Sequence, residues 1–237
     1  MYTAIIIEPR KHKALYFVLH NMLDCLPCEW KIVFFHGNLN VEYSLPIVNE
    51  LNGLYHDRIK MVSLGIDNLD LFQYSELLAT KSLVYDYINT EYFIVFQTDS
   101  MMFKKNMYLL HHFITSNYDY VGSPWLRSGY KITENCDYIG NGGFSLRKTS
   151  KMLEIIDKIP WNQQYEDLYF ATKYNHIEVI KPSYDIALQF CFDEAFHSVA
   201  LAAHKPWFRD HCPVSYKTVR ELYPECDILK NLQGVEP

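Results

Sequence analysis

At 237 residues, the chain is long enough to bury a sizeable hydrophobic core within one large domain. Its 49% hydrophobic and 21% charged residues fall in the ordinary globular range, which excludes the disordered and fibrous classes. The formal net charge of −6 argues against nucleic-acid binding as the main function, because a nucleic-acid groove needs clustered lysine and arginine residues.

Apolar strands alternate with helical segments along the first half of the chain. Strands are predicted at Ala4–Ile7, Lys31–Phe35, Ile59–Leu64 and Tyr92–Phe96, and helices at Ala14–Leu23 and Tyr74–Asn89. Strands that are apolar throughout and separated by helices indicate a mainly parallel sheet covered on both faces. We therefore expect an α/β fold with a Rossmann-like, mixed but mainly parallel central sheet and flanking helices.

Polar residues follow several of these predicted strands. They are Glu8, His36, Gly37 and the turn Gln97-Thr98-Asp99. Ligands of open α/β sheets bind beyond the carboxyl ends of the strands, so we expect these residues to converge on one crevice. No G-x-G-x-x-G sequence and no P-loop sequence follows a strand, which argues against a dinucleotide-binding enzyme and a P-loop enzyme.

The pattern changes after Asp99. The predicted elements are a strand at Tyr118–Val121, a loop at Gly122–Lys131, a glycine-rich strand at Tyr138–Leu146 and helices at about Lys148–Lys158 and Glu166–Lys173. Titratable residues cluster in 187–207, and the tail 216–237 either packs over the sheet or is mobile. No repeat, low-complexity tract or flexible linker divides the chain, so residues 1–237 are expected to form one domain.

The N-terminus and the cysteines exclude further classes. Residues 1–8 carry no basic segment, and their apolar run is too short for a signal peptide or a membrane span, so we expect a cytoplasmic location. Six cysteines lack the spacing of a disulfide framework. Cys25-Leu-Pro-Cys28 has no second pair at zinc-site spacing, so it predicts neither a zinc site nor a redox centre.

Asp99 is a candidate metal ligand. It follows a buried five-residue strand, which holds the carboxylate rigidly at the edge of the sheet, where it can bind a divalent cation that bridges a diphosphate. An Asx-turn or a helix N-cap explains an aspartate at this position equally well.

The segment Asn141-Gly142-Gly143 predicts a close approach to the backbone. Two glycines inside an apolar strand cost stability without a packing benefit, so something must lie against them. The candidates are a sugar or phosphate and, alternatively, a β-bulge or tight hairpin. Arg147 is a candidate phosphate ligand, although an arginine followed by lysine at a helix start is typically solvated.

Two further segments contain candidate catalytic and binding groups. Glu166 and Asp167 are adjacent carboxylates that suit a general base, but they also resemble an ordinary acidic first helical turn. His204 is a candidate Mn²⁺ ligand, and Lys205 is a candidate phosphate partner. Alternatively, both are surface residues.

Asp193 and Glu194 either reinforce this site or form an exposed helix face. Arg10 and His36, after the first and second strands, either approach the base or ribose of a nucleotide or lie in solvent-exposed loops.

Six short motifs occur in an order and spacing that resemble the DUF5672 family, whose members are regarded as glycosyltransferases. The resemblance extends from about Thr3 to Trp207 and rests on Tyr74–Leu78, Phe96–Ser100, Asp119–Trp125, Gly140–Arg147, Glu166–Asp167 and His204–Trp207. It implies a GT-A-like fold. It further implies a nucleotide-sugar-binding half at about 1–125, an acceptor and catalytic half at about 126–207, and a C-terminal tail at 208–237.

The resemblance also implies Mn²⁺ or Mg²⁺ and a nucleotide-diphosphate sugar as the donor. GT-A enzymes hold the metal through a D-x-D motif after the fourth strand, but here Gln97 replaces the first acid. Asp99 and His204 are then the expected protein ligands, and diphosphate oxygens and waters fill the other positions. The donor is expected to contact Gln97, Asp99, Lys205, Arg10, His36 and the segment Asn141-Gly142-Gly143. The missing acid leaves a metal-independent variant open.

The pair Glu166-Asp167 is similar to the x-E-D motif of inverting GT-A enzymes. The similarity implies that Asp167 deprotonates an acceptor hydroxyl and that Glu166 binds the acceptor or orients the base. The expected reaction is a single displacement that transfers a sugar to a glycan or glycoconjugate, with the metal and Lys205 stabilising the departing diphosphate.

Two other functions remain open at this stage. One is a catalytically silent module that binds nucleotides or carbohydrates on the same fold. The other is a nucleotidyltransferase, which needs a basic glycine-rich loop after the first strand. Glu8-Pro-Arg-Lys-His12 offers basic residues but no glycine, which argues against it.

Overall fold

A computed structural model describes residues 1–127, 131–207, 212 and 214–235, with side chains for all of these except 131–133. Its main sheet has six strands. They are β1 (Tyr2–Ile7), β2 (Trp30–His36), β3 (Ile59–Ser63), β4 (Tyr92–Phe96), β6 (Tyr120–Pro124) and β7 (Ile139–Lys148), in the spatial order β3-β2-β1-β4-β7-β6. The strands β1 to β4 are parallel, whereas β7 pairs antiparallel with both β4 and β6. The predicted mixed, mainly parallel sheet is therefore confirmed.

A second, three-stranded sheet extends this architecture. It contains β5 (Ser100–Met102), β8 (Cys191–Phe192) and β9 (Ala202–His204), in the order β5-β9-β8. The register of β5 and β9 places Ser100 opposite His204. Two segments that are about a hundred residues apart in the sequence therefore meet directly beside Asp99.

Helices cover both faces of the main sheet. They are α1 (Leu15–Cys25), α2 (Val41–Tyr55), α3 (Leu71–Ala79), α4 (Tyr108–Thr115), α5 (Thr149–Lys158), α6 (Glu166–Ala171), α7 (Tyr184–Phe190), α8 (Tyr216–Leu222) and α9 (Glu225–Asn231), with 3-10 turns at Tyr85–Tyr87, Lys104–Asn106 and Lys131–Cys136. No helix within the described residues is both long enough and apolar enough to span a membrane.

Alternate residues of the parallel strands point to opposite faces, which divides the hydrophobic core into two layers. In β1, Ala4 and Ile6 pack with helices α1 and α2 and the C-terminal helices, whereas Ile5 and Ile7 pack with α3, α5 and α6. Both layers are fully buried around β1 and β4. The carboxyl ends of these two neighbouring strands are consequently held rigidly side by side.

The helix predicted at Tyr74–Asn89 was wrong in its bounds. Helix α3 begins earlier, because Asp70 caps it: the Asp70 carboxylate accepts hydrogen bonds from the backbone N–H groups of Phe72 and Gln73, and the Gln73 side chain accepts one from Asp70 N–H. It ends at Ala79, and the chain continues through a 3-10 turn. This cap fixes the turn of helix that carries Tyr74.

The second half of the chain differs more from its predicted elements. The segment Gly122–Pro124, predicted as loop, belongs to β6, and residues 128–130 of that loop lie outside the described residues. Asp193 and Glu194 follow β8 and are not part of a helix. In the tail, α8 and α9 place Val219 and Leu229 in the core, so this part of the tail packs on the domain; residues 236–237 are outside the described range.

Candidate active site

A cleft of about 730 Å³ opens at the carboxyl ends of β1 and β4. Its lining residues come from the loop after β1, the start of α3, the turn after β4 and the C-terminal segment. They include Glu8, Arg10, His12, Phe72, Tyr74, Gln97, Asp99, Lys205 and Gln233. Glu8 and the turn Gln97–Asp99 meet here as the parallel sheet predicts, whereas His36 is not among the residues that line the cleft.

Arg10 is anchored at this cleft by a buried carboxylate. Its Nε and Nη2 atoms each donate to Glu8 at 2.8 Å, and Glu8 also accepts from the Arg10 backbone N–H at 2.9 Å. Glu8 is 3% exposed, whereas about half of the Arg10 side chain faces solvent. The bidentate contact holds a permanent positive charge at the mouth of the cleft.

Asp99 lies between two cationic side chains. Its Oδ1 atom is 3.2 Å from His204 Nε2, and its Oδ2 atom is 3.4 Å from Lys205 Nζ. Burial alone would raise the pKa of Asp99, but the charges of His204 and Lys205 outweigh burial and hold it below its ordinary value. Asp99 is therefore ionised throughout the physiological pH range.

His204 is oriented by a second carboxylate. Its Nδ1 atom is 3.0 Å from Asp193 Oδ2, and the same oxygen accepts a hydrogen bond from Asn141 Nδ2 at 3.1 Å. Burial lowers the pKa of His204, but Asp99 and Asp193 outweigh it and raise the pKa to about 9. A carboxylate on one ring nitrogen of a histidine is the usual support for metal binding through the other.

The facing atoms of Asp99 and His204 suit a divalent cation. Asp99 Oδ1 and His204 Nε2 are both buried, and neither makes a hydrogen bond of acceptable geometry within the described structure, although they are 3.2 Å apart. Adjacent ligands of an octahedral cation with metal–ligand distances of about 2.1 Å lie about 3.0 Å apart. The two atoms fit that spacing. No group of three or more His, Cys, Asp or Glu side chains suitable for a metal occurs among the described residues.

Gly142 and Gly143 of β7 lack Cβ atoms, and this leaves room for side chains from other parts of the protein. A Cβ atom at Gly143 would lie 2.3 Å from His204 Nε2, and one at Gly142 would lie 2.3 Å from Glu166 Oε1. The register of β6 and β7 also shifts here: Gly122 pairs with Ser145 and Ser123 with Asn141, which leaves an irregularity at residues 142–144, as the alternative of a β-bulge implied. The close approach inferred from the sequence is therefore made by His204 and Glu166.

Arg147 is completely buried, contrary to the expectation of a solvated residue. Its Nη1 and Nη2 atoms donate to Glu166 at 2.6 and 3.1 Å, and its Nε donates to Ser145 Oγ at 2.9 Å. Its guanidinium also lies 5.1 Å from the centre of the Tyr120 ring. Glu166 is thus fully engaged, so it supports the start of α6 and its neighbour Asp167.

Asp167 has the electrostatic character of a base. Its oxygens accept hydrogen bonds from Leu168 N–H at 2.7 Å and Gly142 N–H at 3.3 Å. Burial and the neighbouring charge of Glu166 raise the pKa of Asp167 to about 6. The carboxylate is ionised at neutral pH but binds a proton more readily than an ordinary aspartate.

A smaller cavity of about 190 Å³ is lined by both Asp167 and the candidate metal ligand His204. It is lined by Asn141, Gly142, Gly143, Tyr165, Glu166, Asp167 and His204, and it shares Leu71, Tyr74, Gln97 and Lys205 with the larger cleft. We call the four shared residues the junction. Asp99 therefore lines one cavity and Asp167 the other, and the two cavities adjoin at the junction.

Sequence reasoning assigned no role to several residues that line the larger cleft, among them Tyr74, His12 and Gln233. Tyr74 belongs to one of the six motifs, so its position was available as a signal, although no role was predicted for it. His12 is buried beside Glu8 and Arg10, and Gln233 donates to the Thr98 carbonyl from the C-terminal segment. No local pattern distinguishes either of them.

The chain was compared with protein families and with known proteins. The family described as "Protein of unknown function (DUF5672)" matches residues 58–207, which is more than half of the chain. A search of curated protein sequences finds no match.

Solved structures of three glycosyltransferases are similar to the chain. The galactosyltransferase LgtC in complex with donor and acceptor sugar analogues has 12% identity and a TM-score of 0.58 over 99% of this chain and 97% of that chain. The mannosyltransferase PcManGT from Pyrobaculum calidifontis in complex with GDP-Man and Mn²⁺ has 10% identity and a TM-score of 0.57 over 100% and 65%. S. aureus TarS 1–349 in complex with UDP has 11% identity and a TM-score of 0.51 over 77% and 60%. At these identities the likeness establishes the fold, which is that of the GT-A glycosyltransferases.

Proposed function

The chain belongs to the DUF5672 family, and from the geometry of its site we propose that it is a glycosyltransferase that uses a nucleotide-diphosphate sugar. The observation that carries the proposal is a pair of cavities that share the junction residues, one lined by Asp99 and the other by Asp167. One carboxylate is kept ionised beside two cationic groups, and the other has a pKa of about 6. Carboxylates in such different environments suit different tasks within one reaction.

The larger cleft is the proposed donor site. Arg10 and Lys205 place two cationic side chains on its walls, each beside a carboxylate, and these side chains are the proposed hydrogen-bond donors to the diphosphate. Asp99 Oδ1 and His204 Nε2 are the proposed ligands of Mn²⁺ or Mg²⁺, and His204 would have to lose its Nε2 proton to bind the cation. When bound, such a cation supplies charge neutralisation for the diphosphate as its bond to the sugar breaks. The complex of the similar PcManGT structure with GDP-Man and Mn²⁺ supports this choice of donor class and cation.

The proposed reaction is a single displacement at the anomeric carbon, with inversion. Asp167 accepts the proton of the acceptor hydroxyl as that oxygen forms its bond to the sugar. Arg147 holds Glu166 in place, and the N–H groups of Leu168 and Gly142 fix the orientation of Asp167. Lys205 stabilises the negative charge that develops on the departing diphosphate. The acceptor is proposed to be a hydroxyl group of a glycan or glycoconjugate.

Two substitutions separate the proposed roles. Asp99→Ala should abolish transfer and weaken Mn²⁺-dependent binding of the nucleotide, because it removes a cation ligand. Asp167→Ala should also abolish transfer but leave nucleotide binding within about twofold of wild type, because Asp167 acts on the acceptor. Binding is measured by calorimetry with UDP and GDP, with and without MnCl₂, and turnover by release of the nucleoside diphosphate from a panel of nucleotide sugars.

Measurements on the wild-type protein distinguish an enzyme from a silent binding module. Binding of nucleotide sugars without release of UDP or GDP, with Mn²⁺ present, would identify a silent binding module in place of an enzyme. Normal turnover in Asp99→Ala or in Asp167→Ala contradicts the role assigned to that residue.

A further inference from the structure

Tyr74 has a buried hydroxyl group that the proposed reaction does not use. The hydroxyl is inaccessible to solvent and makes no hydrogen bond to any described residue. Burying a hydroxyl without a partner costs free energy, so such groups are rare unless a ligand or water satisfies them. The side chain lies at the junction, where it lines both the donor cleft and the smaller cavity.

The surroundings of this hydroxyl indicate what kind of ligand fits. The Gln97 amide lies beside it and partly offsets the effect of burial on the Tyr74 pKa, but the two groups are not aligned for a hydrogen bond. Burial raises the pKa of Tyr74 above its ordinary value, so the hydroxyl remains protonated and can donate. A tyrosine hydroxyl and a primary amide together offer donors and acceptors without charge.

The position of the junction identifies the part of the donor that it contacts. In a single displacement, the transferred sugar lies between the diphosphate and the base. The diphosphate is assigned to the side of Asp99 and Lys205, and the catalytic base is Asp167. Of the residues that the two cavities share, Lys205 therefore belongs with the diphosphate, and the uncharged polar residues Tyr74 and Gln97 are assigned to the sugar. This step rests on the function proposed above.

We propose that Tyr74 and Gln97 form the subsite for the transferred sugar and select a neutral sugar through its hydroxyl groups. When the donor binds, the Tyr74 side chain turns its hydroxyl toward the cavity and donates to a sugar oxygen, and the Gln97 side chain binds the neighbouring sugar hydroxyl. Gln97, at the position where a second acid was expected, thereby has a role of its own.

The charges near the subsite disfavour an acidic sugar. Asp99 and Glu166 both lie close enough to Tyr74 to influence its pKa, and Asp167 lines the adjoining cavity. The nearby cations each lie beside a carboxylate of the protein: Arg147 binds Glu166, Lys205 lies beside Asp99, and His204 lies between Asp99 and Asp193. The carboxylate of a uronic acid would add one more negative charge to this set, so a neutral sugar is favoured.

The test compares Tyr74→Phe with Tyr85→Phe. The Tyr85 hydroxyl donates to the Leu78 carbonyl at 2.7 Å, so it contributes to stability, and Tyr85 does not line either cavity of the proposed site. Both substitutions remove one oxygen from a largely buried tyrosine. A structural role and a ligand-binding role should therefore give opposite patterns.

Two measurements distinguish the patterns. Thermal unfolding reports stability, and calorimetry in MnCl₂ compares UDP and GDP with UDP-glucose, UDP-galactose and GDP-mannose. Tyr74→Phe should leave the melting temperature unchanged or raised and keep UDP and GDP affinity within about twofold. It should weaken the preferred nucleotide sugar by roughly 3- to 10-fold, the effect of one hydrogen bond. Tyr85→Phe should lower the melting temperature and leave all affinities within about twofold.

Each outcome decides between the two proposals. If Tyr74→Phe weakens UDP and UDP-sugars equally, or neither of them, the subsite is wrong, although the proposed function stands. If wild-type protein binds none of these nucleotides, the proposed function fails and the subsite fails with it. Tighter binding of UDP-glucuronate than of UDP-glucose contradicts selection of a neutral sugar.

Discussion

Gly143→Ala tests the interior of the proposed cation site without removing any of its polar groups. The new Cβ atom would lie 2.3 to 2.4 Å from three atoms of the His204 ring, whereas ordinary contacts begin at about 3.4 Å. The ring must therefore retreat by about 1 Å. Such a shift distorts the hydrogen bond between His204 Nδ1 and Asp193, which is now 3.0 Å long.

The structure sets the size of the expected effect. Complete loss of a buried, charge-assisted hydrogen bond costs about 1.5–3 kcal/mol, so we expect the free energy of unfolding to fall by up to that amount. Displacement of a supported histidine should also weaken Mn²⁺-dependent nucleotide binding by about 10- to 100-fold. Urea denaturation measures the first effect, and thermal shift with UDP or GDP, with and without Mn²⁺, measures the second.

Gly53→Ala is the matched control. Gly53 lies within α2, and a Cβ atom there would meet no atom within 4 Å. Alanine is favoured over glycine in a helix by about 1 kcal/mol, so this variant should be slightly more stable and bind nucleotide normally. Wild-type stability and cation-dependent binding in Gly143→Ala would refute the placement of His204 against the glycine.

Three further predictions follow from the same site. The kcat/KM of transfer should fall about tenfold for each pH unit below about 6, because Asp167 must be ionised to accept a proton; a flat profile between pH 5 and pH 7 rules out this base. Arg147→Met should lower the free energy of unfolding in urea by about 3–5 kcal/mol, because it leaves Glu166 buried and unpaired. Adding Glu166→Leu should recover much of that loss, and a double variant no more stable than Arg147→Met alone contradicts the explanation. Asp193→Ala should weaken Mn²⁺-dependent binding of UDP or GDP in calorimetry by about 10- to 100-fold while leaving metal-free binding unchanged; equal loss in both conditions contradicts its role as the support of His204.

The strands of the main sheet could be predicted from the sequence because each is a local property. Tyr92–Phe96 is apolar throughout and bounded by polar residues, and its observed bounds equal the predicted ones. The second sheet could not be predicted in this way. Its strands β5, β8 and β9 are two or three residues long, and they form only because distant segments pair with one another.

The residues of the candidate site also fall into two groups: those that local sequence patterns predict and those that depend on distant contacts. Asp99 and Asp167 could be singled out because each lies at the end or start of an element with a clear local pattern. The fully buried position of Arg147 could not be predicted, since its sequence context, Arg followed by Lys, resembles a solvated helix start. What places it inside is the pairing of its guanidinium with Glu166, which is nineteen residues away.

The two adjacent glycines show that a sequence can predict a close approach to the backbone without identifying the group that approaches. Gly142 and Gly143 do mark a close approach to the backbone, as their cost in a strand requires. The approaching groups are two side chains of the site itself, Glu166 and His204. Both pack directly against the backbone of β7. A sequence reports that space is needed but not what occupies it.

Gln97 changes how the proposed cation site works. A second acid at this position would add a ligand with negative charge, so the protein would hold the cation more strongly on its own. With a neutral amide there, Asp99 and His204 leave most of the coordination to the diphosphate, and Lys205 already offsets part of the Asp99 charge. The cation is then retained mainly when the donor is bound. In return, the amide is available to the sugar beside Tyr74, where a carboxylate would bring a third negative charge next to Glu166 and Asp167.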